Sequence, residues 1–116
     1  MKLPQEIGFV SLWAQDFENQ RSAFQDLFGC EVHYESDGVA VVGGPSGQVV
    51  LQRAAAGTAH LDGTTQIGFY VDDLEEWVAY LSARGADIVA PGTDVGGGNR
   101  MVLVRVPGGQ LVALVG

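Results

Sequence analysis

Apolar positions along the chain fall into short runs and alternations, punctuated by glycine, proline and acidic residues. Ile7 to Ala14 is apolar except for Ser11, a length and flank that predict a strand buried on both faces. Asp16 stands at the N-cap position of a helix over 17–28, in which Phe17, Phe24, Leu27 and Phe28 form one apolar stripe and Gly29 is the stop. Glu31 to Glu35 then alternates and Asp37-Gly38 turns the chain. Val39 to Gly43 with Gln48 to Arg53 predict a hairpin around Pro45-Ser46-Gly47. The order is β-α-β-β-β.

Ala54 to Thr64, rich in Ala, Gly and Thr, has no period and reads as a flexible linker with an exposed His60. The order then restarts. Gln66 to Val71 predicts a strand, and Asp73 caps a helix with Glu76 at the reciprocal capping-box position. Leu74, Trp77, Val78 and Leu81 make its inner stripe, and Gly85 ends it. Met101 to Val115 predicts a buried hairpin turning at Pro107-Gly108-Gly109, where proline presets φ and glycine supplies positive φ.

Pro45, Gly47 and Gln48 match Pro107, Gly109 and Gln110 at an offset of 62, while Asp16 and Asp73 are offset by 57. About five residues are therefore added ahead of the second hairpin, and Pro91 to Asn99, with Gly96-Gly97-Gly98, reads as a flexible flap. It lacks the Lys-Ser/Thr ending and following helix of a phosphate cradle. The chain reads as one domain of two modules, about 5–55 and about 65–116, joined by a linker at about 54–64.

Composition narrows the partners. With 116 residues, 47% hydrophobic and 17% charged, the chain has the make-up of one globular domain. A net charge of −8, with six dispersed Lys and Arg, argues against nucleic acid and anionic membrane surfaces. No apolar run approaches the roughly 20 residues of a membrane span, and the amino terminus lacks the apolar core of a secretion signal, so a cytoplasmic location is expected. The single Cys30 has no disulfide partner in the chain and reads as a small core hydrophobe.

Several features together resemble the vicinal oxygen chelate superfamily, which includes glyoxalase I, extradiol dioxygenases, fosfomycin-resistance enzymes and bleomycin-resistance proteins. They are the duplicated β-α-β-β-β unit, Asp before an apolar residue opening each helix, Phe24 and Phe28-Gly29 closing the first, and the Pro-x-Gly-x-apolar hairpins. The family hairpin Asp-Pro-Asp/Glu-Gly-Asn reads here as Val106-Pro107-Gly108-Gly109-Gln110. The resemblance covers nearly the whole chain. It implies an α+β fold whose two βαβββ modules form a curved mixed sheet with a concave groove and helices on the convex side.

Family enzymes place His, Gln or Glu ligands on the first strand and Glu on the last strand of each module. Carried over by position, the quartet is Phe9, Leu51, Gln66 and Ala113. A divalent cation needs oxygen or nitrogen donors, and a Phe, a Leu and an Ala offer none. Shifting one residue, to Gln52, still adds no charged ligand. The resemblance is thus to the metal-free, bleomycin-resistance-like branch, with no metal and no cofactor expected.

Period-two alternation from those positions turns Phe9, Ser11, Trp13, Val49, Leu51, Arg53, Gln66, Gly68, Tyr70, Met101, Leu103, Arg105, Leu111 and Ala113 toward the concave side. Val10, Leu12, Ile67, Phe69, Val71, Val112 and Leu114 then face the helices. A sheet apolar on both faces needs a ligand, a partner or a second copy over the face without helices. The ligand-lining set is therefore Phe9, Ser11, Trp13, Leu51, Arg53, Gln66, Tyr70, Met101, Leu103, Arg105 and Ala113. Trp77 belongs to a helix stripe and reads as core, whereas Trp13 reads equally as core or as a ligand contact. Arg53 and Arg105 are either solvated strand ends or contacts to an anionic or carbonyl-bearing ligand.

Three readings remain. One is a metal-independent protein that sequesters a planar or amphipathic small molecule such as an antibiotic or metabolite, as a homodimer. A second is a lyase or isomerase using Tyr70, Gln66 and an Arg, or a metal enzyme with displaced ligands such as Glu6, His33 or His60. The third is a domain whose apolar face is filled by a protein partner.

Overall fold

The computed structural model describes residues 6–44, 47–96 and 98–116. The chain divides into two compact units, Phe9–Thr65 and Gln66–Gly116, the second joined by the residues ahead of Phe9. Each has the expected mixed α+β order. The first contains β1 (Phe9–Ala14), α1 (Phe17–Asp26), β2 (Glu31–Ser36), β3 (Val39–Gly44), β4 (Gly47–Arg53) and a 3-10 turn at Ala59–Leu61. The second contains β5 (Thr65–Tyr70), α2 (Leu74–Ala83), β6 (Asp87–Gly96), β7 (Asn99–Arg105) and β8 (Leu111–Val115).

The strands of the two units pair alike. In the first unit β1 runs parallel to β4, which pairs antiparallel with β3, and β3 pairs antiparallel with β2. In the second, β5 runs parallel to β8, and the antiparallel pairs β8–β7 and β7–β6 follow. One helix covers one face of each unit's strands. Phe17 of α1 packs on Ala40, Val42 and Leu51, with Leu12, Phe24, Cys30, Val32 and Val49 around them. Leu74 of α2 packs on Val71, Val102, Val104 and Leu114, with Phe69, Trp77, Val78 and Leu81 beside them.

The two helices start differently although both follow Asp. Asp73 accepts a hydrogen bond from the backbone N–H of Glu76 at 3.0 Å, one half of the expected capping box. Asp16 makes no such cap; its Oδ2 accepts instead from Asn19 Nδ2 at 2.9 Å. Both helices close on a glycine at positive φ, Gly29 at 65° and Gly85 at 74°, a conformation that a Cβ disfavours.

Four local expectations are corrected. The first strand begins at Phe9, and Ile7 is exposed. The first helix ends at Asp26, so Leu27 and Phe28 lie past its last turn and out of the stripe, 74% and 68% exposed. Phe28 keeps an edge contact to Phe24, at 5.6 Å between ring centroids. The segment 91–96 is strand rather than flap. It pairs as Thr93↔Met101, Asp94↔Arg100 and Gly96↔Asn99, with three register shifts along β6 that absorb extra residues as bulges.

The linker, too, is folded rather than flexible. Leu61 is buried, Thr64 Oγ1 donates to Leu61 O at 2.6 Å, and Asp62 Oδ1 accepts from the backbone N–H of Gln15 at 2.8 Å. The turn expected at Pro45-Ser46 lies outside the described residues, as does Gly97 in the middle of the glycine run. No helix among the described residues is long and apolar enough to cross a membrane.

Candidate ligand-binding face

Strand pairing decides which side chains share the sheet face away from the helix. In the second unit Gly68 pairs with Ala113, Leu103 with Ala113, and Met101 with Val115. Gln66, Gly68 and Tyr70 of β5, Leu111 and Ala113 of β8, and Met101, Leu103 and Arg105 of β7 therefore lie on the helix-free face, as the alternation predicted. Gln66, Met101, Leu103 and Ala113 are buried. Arg105 is exposed at the strand end, where Nη1 donates to Gly109 O at 3.0 Å and Nε stands 3.6 Å from Asp87 Oδ2.

Tyr70 is 44% exposed. Partial desolvation holds its phenol above the ordinary value. Its ring rests on Gly8, whose backbone N–H donates to Gly68 O at 2.8 Å.

In the first unit the alternation holds for β1 and fails by one residue for β4. Leu12 pairs with Leu51, and Leu51 with Ala40, all in the cluster under Phe17. Val49, Leu51 and Arg53 consequently face the helix. Leu51 is fully buried against Phe17, and the Arg53 guanidinium lies 5.0 Å from the centroid of the Phe17 ring while its Nη2 pairs with Glu18 at 3.0 Å. The helix-free face carries Phe9, Ser11 and Trp13 from β1 with Val50 and Gln52 from β4, because Ser11 pairs with Val50 and Trp13 with Gln52. Leu51 and Arg53 thus leave the ligand-lining set, and Val50 and Gln52 join it.

The error has a definite cause. Ser11 and Gly68 are 57 apart, like the helix-opening aspartates, and their partners Val50 and Ala113 are 63 apart. The hairpin letters suggested 62. The first hairpin ladder runs up to Gly44↔Gly47, whereas the second stops at Arg105↔Leu111 and leaves Val106 to Gln110 as its connection. The shared Pro-x-Gly-Gln letters therefore occupy different places relative to the ladders.

With this register the positions carried over from the metal enzymes are Phe9, Val50, Gln66 and Ala113. One neutral amide among three hydrocarbon side chains does not fit a divalent cation. Glu6, His33 and His60, the displaced candidates, are all exposed, and no group of three or more His, Cys, Asp and Glu stands close enough to hold a metal among the described residues.

The β1 face has two further properties. Phe9, Ser11 and Trp13 are all buried, Ser11 at 0% and Trp13 at 4% exposure. Yet Ser11 Oγ and Trp13 Nε1 have no hydrogen-bond partner among the described residues. They point from the same side of one strand, two residues and roughly 7 Å apart at Cα. Leaving a buried polar group unpaired costs about 1–3 kcal/mol, and here two do so side by side. The burial of this strand is legible in the sequence, but the missing partners are not; an isolated Ser between Phe9 and Trp13 in an apolar strand is the sign that the sequence offers.

Residues 6–114 match the model of the Glyoxalase/Bleomycin resistance protein/Dioxygenase superfamily. No curated protein sequence matches the chain. Among solved structures, a member of the same superfamily from Vibrio splendidus 12B01 is 20% identical with a TM-score of 0.62, covering 92% of this chain and 95% of its own. Methylmalonyl-CoA epimerase from Mycobacterium tuberculosis is 21% identical with a TM-score of 0.71, covering 99% and 89%. A variant of the Streptomyces coelicolor methylmalonyl-CoA epimerase, in complex with 2-nitronate-propionyl-CoA, is 17% identical with a TM-score of 0.70, covering 98% and 97%. At these identities the likeness is one of fold.

Proposed function

Because the chain belongs to the glyoxalase/bleomycin resistance protein/dioxygenase superfamily, we propose that it is a metal-independent binding protein for a small planar or amphipathic molecule, enclosed against the helix-free face of β1. The observation that carries this reading is the pair of buried, unpartnered polar groups, Ser11 Oγ and Trp13 Nε1, on a strand otherwise apolar on that side. Apolar surroundings with a few convergent polar groups are the make-up of small-molecule sites. The hydrocarbon side chains at three of the four metal positions supply the metal-independent part.

Burial changes the alternatives. The helix-free residues Phe9 and Trp13 of the first unit, and Met101 and Leu103 of the second, are buried. The ligand would be enclosed rather than laid in an open groove. Native mass spectrometry of the protein purified from its source cells, with metal analysis of the same sample, tests the proposal. A co-purifying organic molecule without metal is expected; one tight metal equivalent per chain would overturn it.

An isomerase reading is favoured by one observation, the fold shared with methylmalonyl-CoA epimerases. In that case Tyr70, a phenol that is protonated at neutral pH and that partial desolvation makes a weaker acid still, would act as a hydrogen-bond donor. Tyr70→Phe would abolish turnover of a substrate under that reading and leave ligand retention intact under the first.

A further inference from the structure

Resting on the binding reading above, the geometry points to the chemical class of the ligand: a molecule with a neutral carbonyl group on a flat apolar body, its oxygen accepting from the Trp13 indole N–H and its second lone pair or a neighbouring oxygen facing the Ser11 hydroxyl. An indole nitrogen only donates. Whatever satisfies Trp13 Nε1 must therefore bring an acceptor, and a carbonyl oxygen has two lone pairs for two donors.

Charge decides between a carbonyl and a carboxylate. A buried carboxylate requires a paired cation, because desolvating it alone costs far more than desolvating a carbonyl. The first unit's arginines do not supply one. Arg53 lies on the helix side, stacked on Phe17 and paired with Glu18 and Asp37, and Arg21 is engaged by Glu18 and Glu35. By strand register, the charged side chain on the helix-free face of this sheet is Glu31, opposite Gly43, an exposed acid that further disfavours an anion. Phe9 and Val50 flank the two donors with hydrocarbon, which suits a flat apolar body.

The experiment uses the full chain carrying Trp77→Phe, so that the single indole N–H resonance in a nitrogen–proton correlation spectrum belongs to Trp13. Three probes of one shape are titrated at neutral pH: acetophenone, benzoate and ethylbenzene. Acetophenone is expected to move the Trp13 resonance saturably, with ethylbenzene at least about threefold weaker and benzoate without saturation. Ser11→Ala should weaken acetophenone about three- to tenfold, the range of one net hydrogen bond. Benzoate binding as well as acetophenone, or ethylbenzene equalling it, would overturn the carbonyl assignment while leaving the binding face in place. If no probe shifts the resonance and the indole proton shows magnetisation transfer from water, a buried water satisfies the pair and the binding reading falls as well.

Discussion

Gly8→Ala is the most direct probe of how Tyr70 is held. A Cβ at Gly8 would lie 2.6 Å from Tyr70 Cδ2, 3.0 Å from Cε2 and 3.3 Å from the Tyr70 backbone nitrogen. Carbon atoms rest at about 3.5–4.0 Å, so the ring must retreat by about 1 Å. Tyr70 is partly exposed and can swing outward, which sets the loss near the lower end of the overpacking range, about 1–2 kcal/mol. Each kcal/mol lowers the melting temperature of a domain of this size by about 4–8 °C.

The same displacement moves the phenol toward water, so its pKa should fall back toward the ordinary value. In the wild-type fold that pKa is raised, and the unfolded chain loses the proton first. The stabilisation is therefore complete below the unfolded value of about 10 and is lost as pH rises through the folded one. Gly8→Ala should flatten that alkaline decline. Thermal melts and phenolate absorbance, each with Tyr70→Phe as the blank, measure both effects. In a Tyr70→Ala background the Gly8→Ala penalty should largely vanish. An equal loss in both backgrounds, or an unchanged phenol titration, would refute the contact.

Asp73→Ala should cost about 1 kcal/mol through the lost cap to Glu76 N, while Asp16→Ala, which releases only Asn19, should cost less; paired thermal melts separate them. Leu51→Ala should lower stability by about 2–5 kcal/mol, the range for truncating a fully buried leucine, in chemical denaturation. A near-neutral result would contradict its packing under Phe17. Chelator treatment should leave both the melting temperature and the Trp13 indole resonance unchanged, whereas a drop restored by adding one divalent cation would contradict the donor argument.

Much of the fold was legible because local and repeated signals agree. The β-α-β-β-β order, Asp73 as a cap, Gly29 and Gly85 as stops and the faces of β1, β5, β7 and β8 all follow from period and turn chemistry. What failed were inferences that required counting across a connection. Matching letters misplace the last-strand register of the first unit, because the ladder there reaches Gly47 while the second stops short of Gln110. Leu27 and Phe28 look like stripe residues until the helix ends before them. Thr93 and Asp94 look like loop until Met101 and Arg100 pair with them. In the candidate site, the residue types at Ser11 and Trp13 were visible, but a missing partner is a property of the packed chain and of no single segment.

The connection after β4 is tied to the same tryptophan. Gly63 N–H donates to Trp13 O at 2.8 Å, and Trp13 N–H donates to Thr64 O at 3.2 Å, with Leu61 buried just ahead of them. The segment between the two repeats is thus a clasp on β1 rather than slack rope. Its length cannot drift freely in related sequences: residues gained or lost between Ala59 and Thr64 would tug on the strand that presents Ser11 and Trp13, whereas additions nearer Gly57, which is exposed and open around its Cα, would pass unnoticed. Cleavage there by a protease should likewise leave the strand seated, while a cut at His60 should loosen it.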